Sequence, residues 1–249
     1  MEYKDKFQDK NITLYNMDCM ELLKNTEDNF YDLAIVDPEY GIGADKPSSK
    51  PNRVKQKNGS TLNIKSVEYK HKDWDNKPAG FDYLQELKRV SKNQIIWGCN
   101  YYNFPLMGGR IVWDKLNGKS DQFGCEVAYC SMNKRTDILY YMWAGMMQGY
   151  YIGNEVKKAL IQQGNKTLNE RRIHPTQKPV KLYEWLLINY AKEGNKILDT
   201  HLGSGSIAIA CNRLKYELTA CELDTEYFEG SVKRYKEQTA QIQCNFKIK

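Results

Sequence analysis

The sequence has no Cys-x-x-Cys pair, only three histidines, and no apolar run approaching the roughly 20 residues a bilayer-spanning helix needs. These gaps argue against a clustered zinc or dithiol centre and against a membrane enzyme. The first residues, Met1-Glu2-Tyr3-Lys4-Asp5, carry no apolar secretory segment, so a cytoplasmic protein is expected. Seven cysteines are scattered through 249 residues instead of forming a close-spaced framework, and each reads as a small buried side chain with a reduced thiol. Gly203-Ser204-Gly205 lacks the third glycine of a dinucleotide turn and the Gly-Lys-Ser/Thr ending of a phosphate loop. NAD and ATP are therefore poor fits. No internal repeat is evident, and a chain of this length reads as one enlarged α/β domain with insertions.

Positive charge is present and concentrated. The formal net charge is +6, and between Gly41 and Lys72 eight basic residues (Lys46, Lys50, Arg53, Lys55, Lys57, Lys65, Lys70 and Lys72) stand against Asp45 and Glu68. That segment accounts for the whole excess. With Pro47, Pro51 and Gly59 and no sustained periodicity, it reads as a long loop. A basic loop leaving an active site suits a polyanionic substrate, with Lys50, Arg53, Lys55 and Lys57 as phosphate contacts. The plainer alternative is a solvated loop.

Short apolar runs predict strands over 12–16, 31–36, 94–98, 110–113, 126–130, 196–200 and 217–222. Helices are predicted over 81–90, where Phe81, Leu84, Leu87 and Val90 recur at near-helical spacing, and over 179–190, 206–214 and 227–239. Between 133 and 172 the pattern breaks into tyrosines, glycines and scattered lysines. The chain thus divides into a catalytic half over 1–132, with its basic loop over 41–72, a target-recognition region over 133–172, and a cofactor half of the same domain over 173–249.

Two short signals carry the chemistry. Asp37-Pro38-Glu39-Tyr40 closes the run Tyr31-Asp32-Leu33-Ala34-Ile35-Val36, which places an acid at the carboxyl end of a buried parallel strand, where open α/β sheets bind ligands. Leu198-Asp199 precedes the Gly203-Ser204-Gly205 turn, whose glycines let the backbone approach a ligand at a helix N-terminus. The next strand ends in Cys221-Glu222-Leu223-Asp224, where a carboxylate can accept hydrogen bonds from ribose hydroxyls. Strand, glycine turn, helix, strand and acid together fit S-adenosylmethionine.

From about Ile12 to Arg234 the chain resembles the β group of DNA amino-methyltransferases. Asp37 to Tyr40 is similar to the family's Asp-Pro-Pro-Tyr catalytic motif, and Asp199 to Gly205 to its cofactor loop. His174-Pro175-Thr176-Gln177-Lys178-Pro179 matches the segment before its cofactor strand nearly word for word, and Trp97-Gly98-Cys99-Asn100-Tyr101-Tyr102 and Trp113-Asp114-Lys115 resemble its later strands. The resemblance implies a seven-stranded Rossmann-like methyltransferase fold, S-adenosylmethionine dependent, with one antiparallel strand near its edge. It also implies a circularly permuted motif order and a small target-recognition insertion. It assigns Asp18 to the cofactor adenine, Glu222 to the ribose, and Thr176 with Lys178 to the methionine end. Asp37, Asp199, His201, Gly203, Ser204 and Gly205 complete the implied cofactor site.

There are two departures. Glu39 stands where the motif has its second proline, which frees φ and restores an N–H. Thr200-His201-Leu202 replaces the usual Pro-Phe-Met or similar triplet, changing the apolar contact under the cofactor. His201 beside a glycine turn reads as a packed side chain rather than a general base.

An exocyclic amine on adenine or cytosine is a poor nucleophile because its lone pair is delocalised into the ring. The Asp37 carboxylate and the Pro38 carbonyl can accept its two hydrogens and aim the lone pair at a sulfonium methyl, by orientation and electrostatics with no metal required. The base must leave the duplex, and Tyr40 is placed to stack on it. Lys134, Arg135, Tyr141, Arg171 and Arg172 are expected to contact double-stranded DNA. Their region is short, so the target site is short, the 41–72 loop shares the reading, or the second subunit of a homodimer contributes. Asp rather than Ser at position 37 leans toward adenine-N6, with cytosine-N4 methylation and a catalytically inactive nucleic-acid-binding module as alternatives. The absence of a Pro-Cys dipeptide disfavours covalent cytosine-C5 chemistry. The expected setting is a prokaryotic or phage-encoded restriction–modification enzyme.

Overall fold

The computed structural model describes residues 1–44, 53–55, 59–63, 72–117, 124–144, 147–150 and 169–245. In chain order the elements are β1 (Asp5–Asp9), β2 (Ile12–Asn16), α1 (Cys19–Lys24), β3 (Leu33–Val36), β4 (Arg53–Lys55), β5 (Thr61–Asn63), α2 (Phe81–Val90), β6 (Gln94–Trp97) and β7 (Gly109–Asp114). They continue with β8 (Cys125–Cys130), β9 (Thr136–Ala144), β10 (Met147–Tyr150), α3 (Val180–Tyr190), β11 (Lys196–Asp199), α4 (Ser206–Leu214), β12 (Glu217–Glu222) and α5 (Thr225–Asn245).

β3 is apolar along its whole length because both its faces are covered. In β3, Leu33 and Ile35 pack on one face while Ala34 and Val36 pack on the other. β11 divides in the same way, with Ile197 on the first face and Leu198 on the second. A parallel strand between two helical layers requires this pattern. The first layer holds residues of α3, α4 and α5, and the second holds residues of α1 and α2. In α2 the buried stripe is Tyr83, Leu84, Leu87 and Val90, whereas Phe81 points outward, so the inward register starts two residues later than predicted.

Among the described residues the main sheet has ten strands, in the order β1-β2-β12-β11-β3-β6-β8-β7-β9-β10. The seven from β2 to β7 form the expected methyltransferase sheet, with five parallel neighbours followed by β8, antiparallel to both β6 and β7. Three strands extend it beyond the expected count: β1 pairs antiparallel with β2, β9 runs parallel to β7, and β10 folds back on β9. The permuted chain order leaves the sheet order intact. Consequently the turns after β2, β12, β11, β3 and β6 lie side by side at the carboxyl edge, where such sheets bind ligands.

The region over 133–172 differs from its sequence reading. Its first part is sheet, and residues 145–146 and 151–168 lie outside the described residues. Alternation along β9 turns Leu139, Tyr141 and Trp143 into the core and leaves Ile138 and Tyr140 exposed. Tyr141, expected on DNA, is 2% exposed and is a core residue. Lys134 and Arg135 sit in the turn after β8, which starts at the site end and runs back for six residues, about 20 Å. They therefore lie at the amino ends of the parallel strands, where the Arg135 carbonyl accepts from Arg110 N–H at 3.0 Å, and Arg135 itself pairs with Asp137. Lys50 and Lys57 lie outside the described residues, and Arg53 and Lys55 are described only as backbone of β4.

Candidate active site

A cavity of about 650 Å³ opens where these turns meet, lined by Asp18, Asp37, Thr176, Lys178, His201, Gly203, Ser204 and Glu222 among others. Gly203 and Gly205 have φ of 51° and 72°, the left-handed region that a side chain disfavours, and a Cβ at Gly205 would lie 3.0 Å from Ser231 Cβ. Glu222 braces this turn, accepting from Gly203 N–H at 2.8 Å and from Asp224 N–H at 2.9 Å. Burial nonetheless lifts its carboxyl above the ordinary range. Asp199 lies beneath the turn and accepts from His201 N–H at 3.0 Å; burial pushes it up to about 7. Asp18 caps α1 by accepting from Met20 N–H at 2.7 Å, and buried Asn16 donates to the Glu222 carbonyl at 2.8 Å, joining the ends of β2 and β12.

The cavity lining favours a cationic nucleoside. Seven carboxylates line it (Asp18, Asp37, Glu39, Asp73, Asp82, Glu222 and Asp224) against three lysines (Lys4, Lys72 and Lys178) and the imidazole of His201. A polyphosphate would meet repulsion there, whereas a sulfonium would meet attraction. Tyr83, Trp74 and Tyr227 supply flat apolar walls for a purine.

Asp37 emerges from β3 into this cavity, and its partners Tyr40 and Lys178 line a second one. The Tyr40 hydroxyl donates to Asp37 Oδ1, and Lys178 Nζ lies 2.6 Å from Asp37 Oδ2 and 2.8 Å from Glu126 Oε2. Lys115 Nζ lies 2.5 Å from the other Glu126 oxygen. Asp37, Lys178, Glu126 and Lys115 thus form a largely buried row of alternating charge, in which each member depends on its neighbours. Burial opposes the Lys178 charge, but Asp37 and Glu126 outweigh it and raise the ammonium above its ordinary value. Burial likewise opposes the Glu126 charge, and Lys178 with Lys115 holds that carboxyl at about 2. Lys178, expected at the methionine end of a cofactor, lines both cavities with its ammonium turned to these two acids.

The second cavity, of about 440 Å³, is walled by Tyr40, Tyr101, Trp113, Trp143, Lys115 and Glu126, and shares Thr176, Gln177 and Lys178 with the first. The Tyr40 ring stacks on Tyr101 with centroids 5.0 Å apart and planes at 15°. Gly98, at φ 67°, lets that ring approach, because a Cβ there would overlap it. The Pro38 carbonyl accepts from the Tyr102 hydroxyl at 3.3 Å. Arg172 also lines this cavity, with its guanidinium 4.7 Å from the Trp143 ring, and Arg171 is exposed beside it.

Sequence reasoning passed over two residues that hold this arrangement. Asp75, 1% exposed, accepts from the N–H groups of Tyr40 (2.9 Å), Gly41 (2.7 Å) and Ala44 (2.7 Å), so one carboxylate organises the whole catalytic turn. Nothing local marks it. Glu126 did carry a signal, an acid inside an otherwise apolar strand, where only a buried cationic partner makes a carboxylate tolerable. The two motif departures also prove to be neighbours: Glu39 Oε2 lies 3.3 Å from His201 Nε2.

The strand order, the glycine turn and the paired cavities define an α/β enzyme that brings a nucleoside-like ligand up to a second reactant beside a carboxylate. The DNA methylase family model (N6_N4_Mtase) matches residues 45–233, and the chain belongs to this family. The matched span begins after Tyr40, so the Asp37–Tyr40 turn is placed in the site by its geometry. Type II methyltransferase M2.MboI of Moraxella bovis is 25% identical across 100% of this chain and 97% of its own length. Type II methyltransferase M.HpaI of Haemophilus parainfluenzae is 26% identical over 87% of this chain and 71% of its own. Among solved structures, the PvuII DNA methyltransferase, described as cytosine-N4-specific, superposes with a TM-score of 0.52 at 14% identity, covering 96% of this chain and 94% of that one. The M1.HpyAVI–SAM complex gives 0.50 at 17%, covering 90% and 99%.

Proposed function

We propose that this chain methylates the N6 amine of adenine in double-stranded DNA, using S-adenosylmethionine bound in the larger cavity. The observation that carries the reading is the position of Asp37, a carboxylate that lines an acidic nucleoside-sized cavity while its partners Tyr40 and Lys178 line an aromatic-walled one. Bound S-adenosylmethionine supplies an electrophilic methyl on a sulfonium. The chain's residues do the rest by placement. Lys178 and the Tyr40 hydroxyl fix the rotamer of Asp37, and an ionised carboxylate has about four lone-pair sites, so it keeps acceptor capacity for an amine hydrogen. The Pro38 carbonyl, on the next residue, is suited to the second hydrogen. With both hydrogens engaged, the amine lone pair is free to point toward the first cavity, and the proton released after transfer has Asp37 as its nearest carboxylate acceptor.

Glu222, bracing the glycine turn, is suited to the ribose hydroxyls, and Asp18 at the rim to the adenine. Asp37 in place of serine supports adenine over cytosine. Arg171 and Arg172, beside the second cavity, are the described basic residues best placed to meet the backbone around an extruded base. The test is to incubate the protein with methyl-labelled cofactor and mixed-sequence duplex DNA, then digest to nucleosides. Label in N6-methyl-2′-deoxyadenosine is expected. Label in N4-methyl-2′-deoxycytidine would replace adenine by cytosine as the target, and no label in DNA would overturn the enzymatic reading.

A further inference from the structure

Glu39 and His201 are the two places where the chain departs from the motifs it resembles, and the fold brings them into contact. Glu39 stands in the turn after β3, and His201 in the turn after β11, its parallel neighbour in the sheet. Their side chains are 31% and 17% exposed, with Glu39 Oε2 3.3 Å from His201 Nε2. The other imidazole nitrogen lies 2.9 Å from Thr200 Oγ1, which in turn lies 2.6 Å from the Tyr83 hydroxyl. Tyr83 also meets the imidazole ring edge-on at 5.4 Å. His201 is therefore held through both nitrogens and one flank. On the opposite side of the contact, the Glu39 carbonyl accepts from Ala79 N–H at 3.1 Å. Burial opposes charge on both partners, yet each keeps the other ionised.

We propose that Glu39 and His201 are positioning residues whose ion pair locks the catalytic turn to the cofactor turn, replacing the stiffness that proline and an aromatic ring supply in the motifs this chain resembles. The inference rests on the methyl-transfer reading. A proline at position 39 would fix φ by itself, whereas glutamate leaves φ free, and the cross-turn pair restores the constraint from outside the turn. The two turns carry the two reactants, and a displacement of about 1 Å between reacting groups is enough to cost about a hundredfold in rate. Each residue makes sense only with the other. His201 without Glu39 is a buried cation missing its nearest carboxylate, and Glu39 without His201 is a half-buried carboxylate missing its cation.

The decisive experiment is a double-mutant cycle on wild type, Glu39→Pro, His201→Phe and the double variant. Three quantities are measured on each: the urea midpoint without ligand, the affinity for S-adenosylhomocysteine without DNA, and the single-turnover transfer rate at saturating cofactor and DNA. Each single substitution is expected to slow transfer by about tenfold or more and to weaken S-adenosylhomocysteine binding several-fold, while the double variant returns to within about threefold of wild type in both. If Glu39→Pro does not fold, Glu39→Gln takes its place in the cycle, and the expected result is that His201→Phe costs much less in that background than in wild type. Penalties that multiply in the double variant would overturn the lock. So would single variants that lose urea stability but keep wild-type binding and transfer, since that pattern marks a structural pair with no bearing on the reactants. A wild-type protein that transfers no methyl would overturn the underlying functional reading instead, and coupling between the two positions in the binding measurement would still support the lock.

Discussion

Asp75→Asn tests whether the catalytic turn is held from outside. One carboxylate oxygen accepts from Tyr40 and Gly41 N–H, and the other from Ala44 N–H. An amide placed with its oxygen toward Tyr40 and Gly41 keeps two bonds, both weakened because the acceptor is now neutral. Its NH₂ group then faces the Ala44 N–H, donor against donor, in a site 1% exposed. An unsatisfied buried donor costs about 1–3 kcal/mol, and each of the two bonds that loses its charge costs about 0.5–1 kcal/mol more, so the loss should be about 2–5 kcal/mol. The Asp75 backbone is unaffected, and its carbonyl still accepts from Gly43 N–H at 3.1 Å. Because Asp75 does not line the larger cavity, cofactor affinity should stay within about threefold while transfer falls by about a hundredfold as Tyr40 and Asp37 lose their placement. Urea unfolding, calorimetric cofactor binding and single-turnover transfer read the three effects. A folded Asp75→Asn protein with wild-type midpoint and wild-type transfer would show that the turn needs no external acceptor.

Gly98→Ala should lower transfer by about tenfold or more with cofactor binding unchanged, because the new methyl would displace the Tyr40 ring and the residue sits at φ 67°; crystallography of the variant should show the ring moved, and an unmoved ring with normal transfer would contradict the close approach. S-adenosylmethionine should stabilise the wild type by about 2.7 kcal/mol at a hundredfold excess over its dissociation constant, and Glu222→Ala, which removes the brace on Gly203 N–H, should reduce that shift by more than half. Equal thermal shifts in both proteins would move the cofactor elsewhere. His174 is held neutral down to about 3 by burial and by the Lys178 and Lys72 charges, against 6.5 ordinarily. A base with a depressed folded value favours unfolding as the pH drops, since the unfolded chain takes up the proton first; the cost is about 1.4 kcal/mol per pH unit below 6.5, down to about 3. His174→Phe, which keeps the ring contacts to Trp74 and Tyr227, should therefore be less acid-sensitive than wild type in urea titrations between pH 6.5 and 4.5. Parallel pH profiles would rule out a buried neutral imidazole.

Most of the architecture was legible in the residue order because it rests on local chemistry. β2, α2, α4 and β12 fall where apolar periodicity predicts them, since burial on one or both faces must be written into nearest-neighbour spacing. The carboxylates at strand ends and the glycines at positive φ were legible for the same reason. β9 was not: Thr136–Ala144 alternates correctly, but its two consecutive tyrosines mask which ring turns inward. Lys134 and Arg135 were misplaced because composition says nothing of strand direction, and antiparallel β8 carries them to the far end of the sheet. The sequence by itself determined which residue types the chemistry would draw on. Tertiary structure alone decided that Asp75 reaches back to residues 40–44, that Glu126 shares Lys178 with Asp37, and that Glu39 meets His201. Each of those contacts joins groups distant in the chain, and such partners are chosen by the order in which strands pair, which no local pattern encodes.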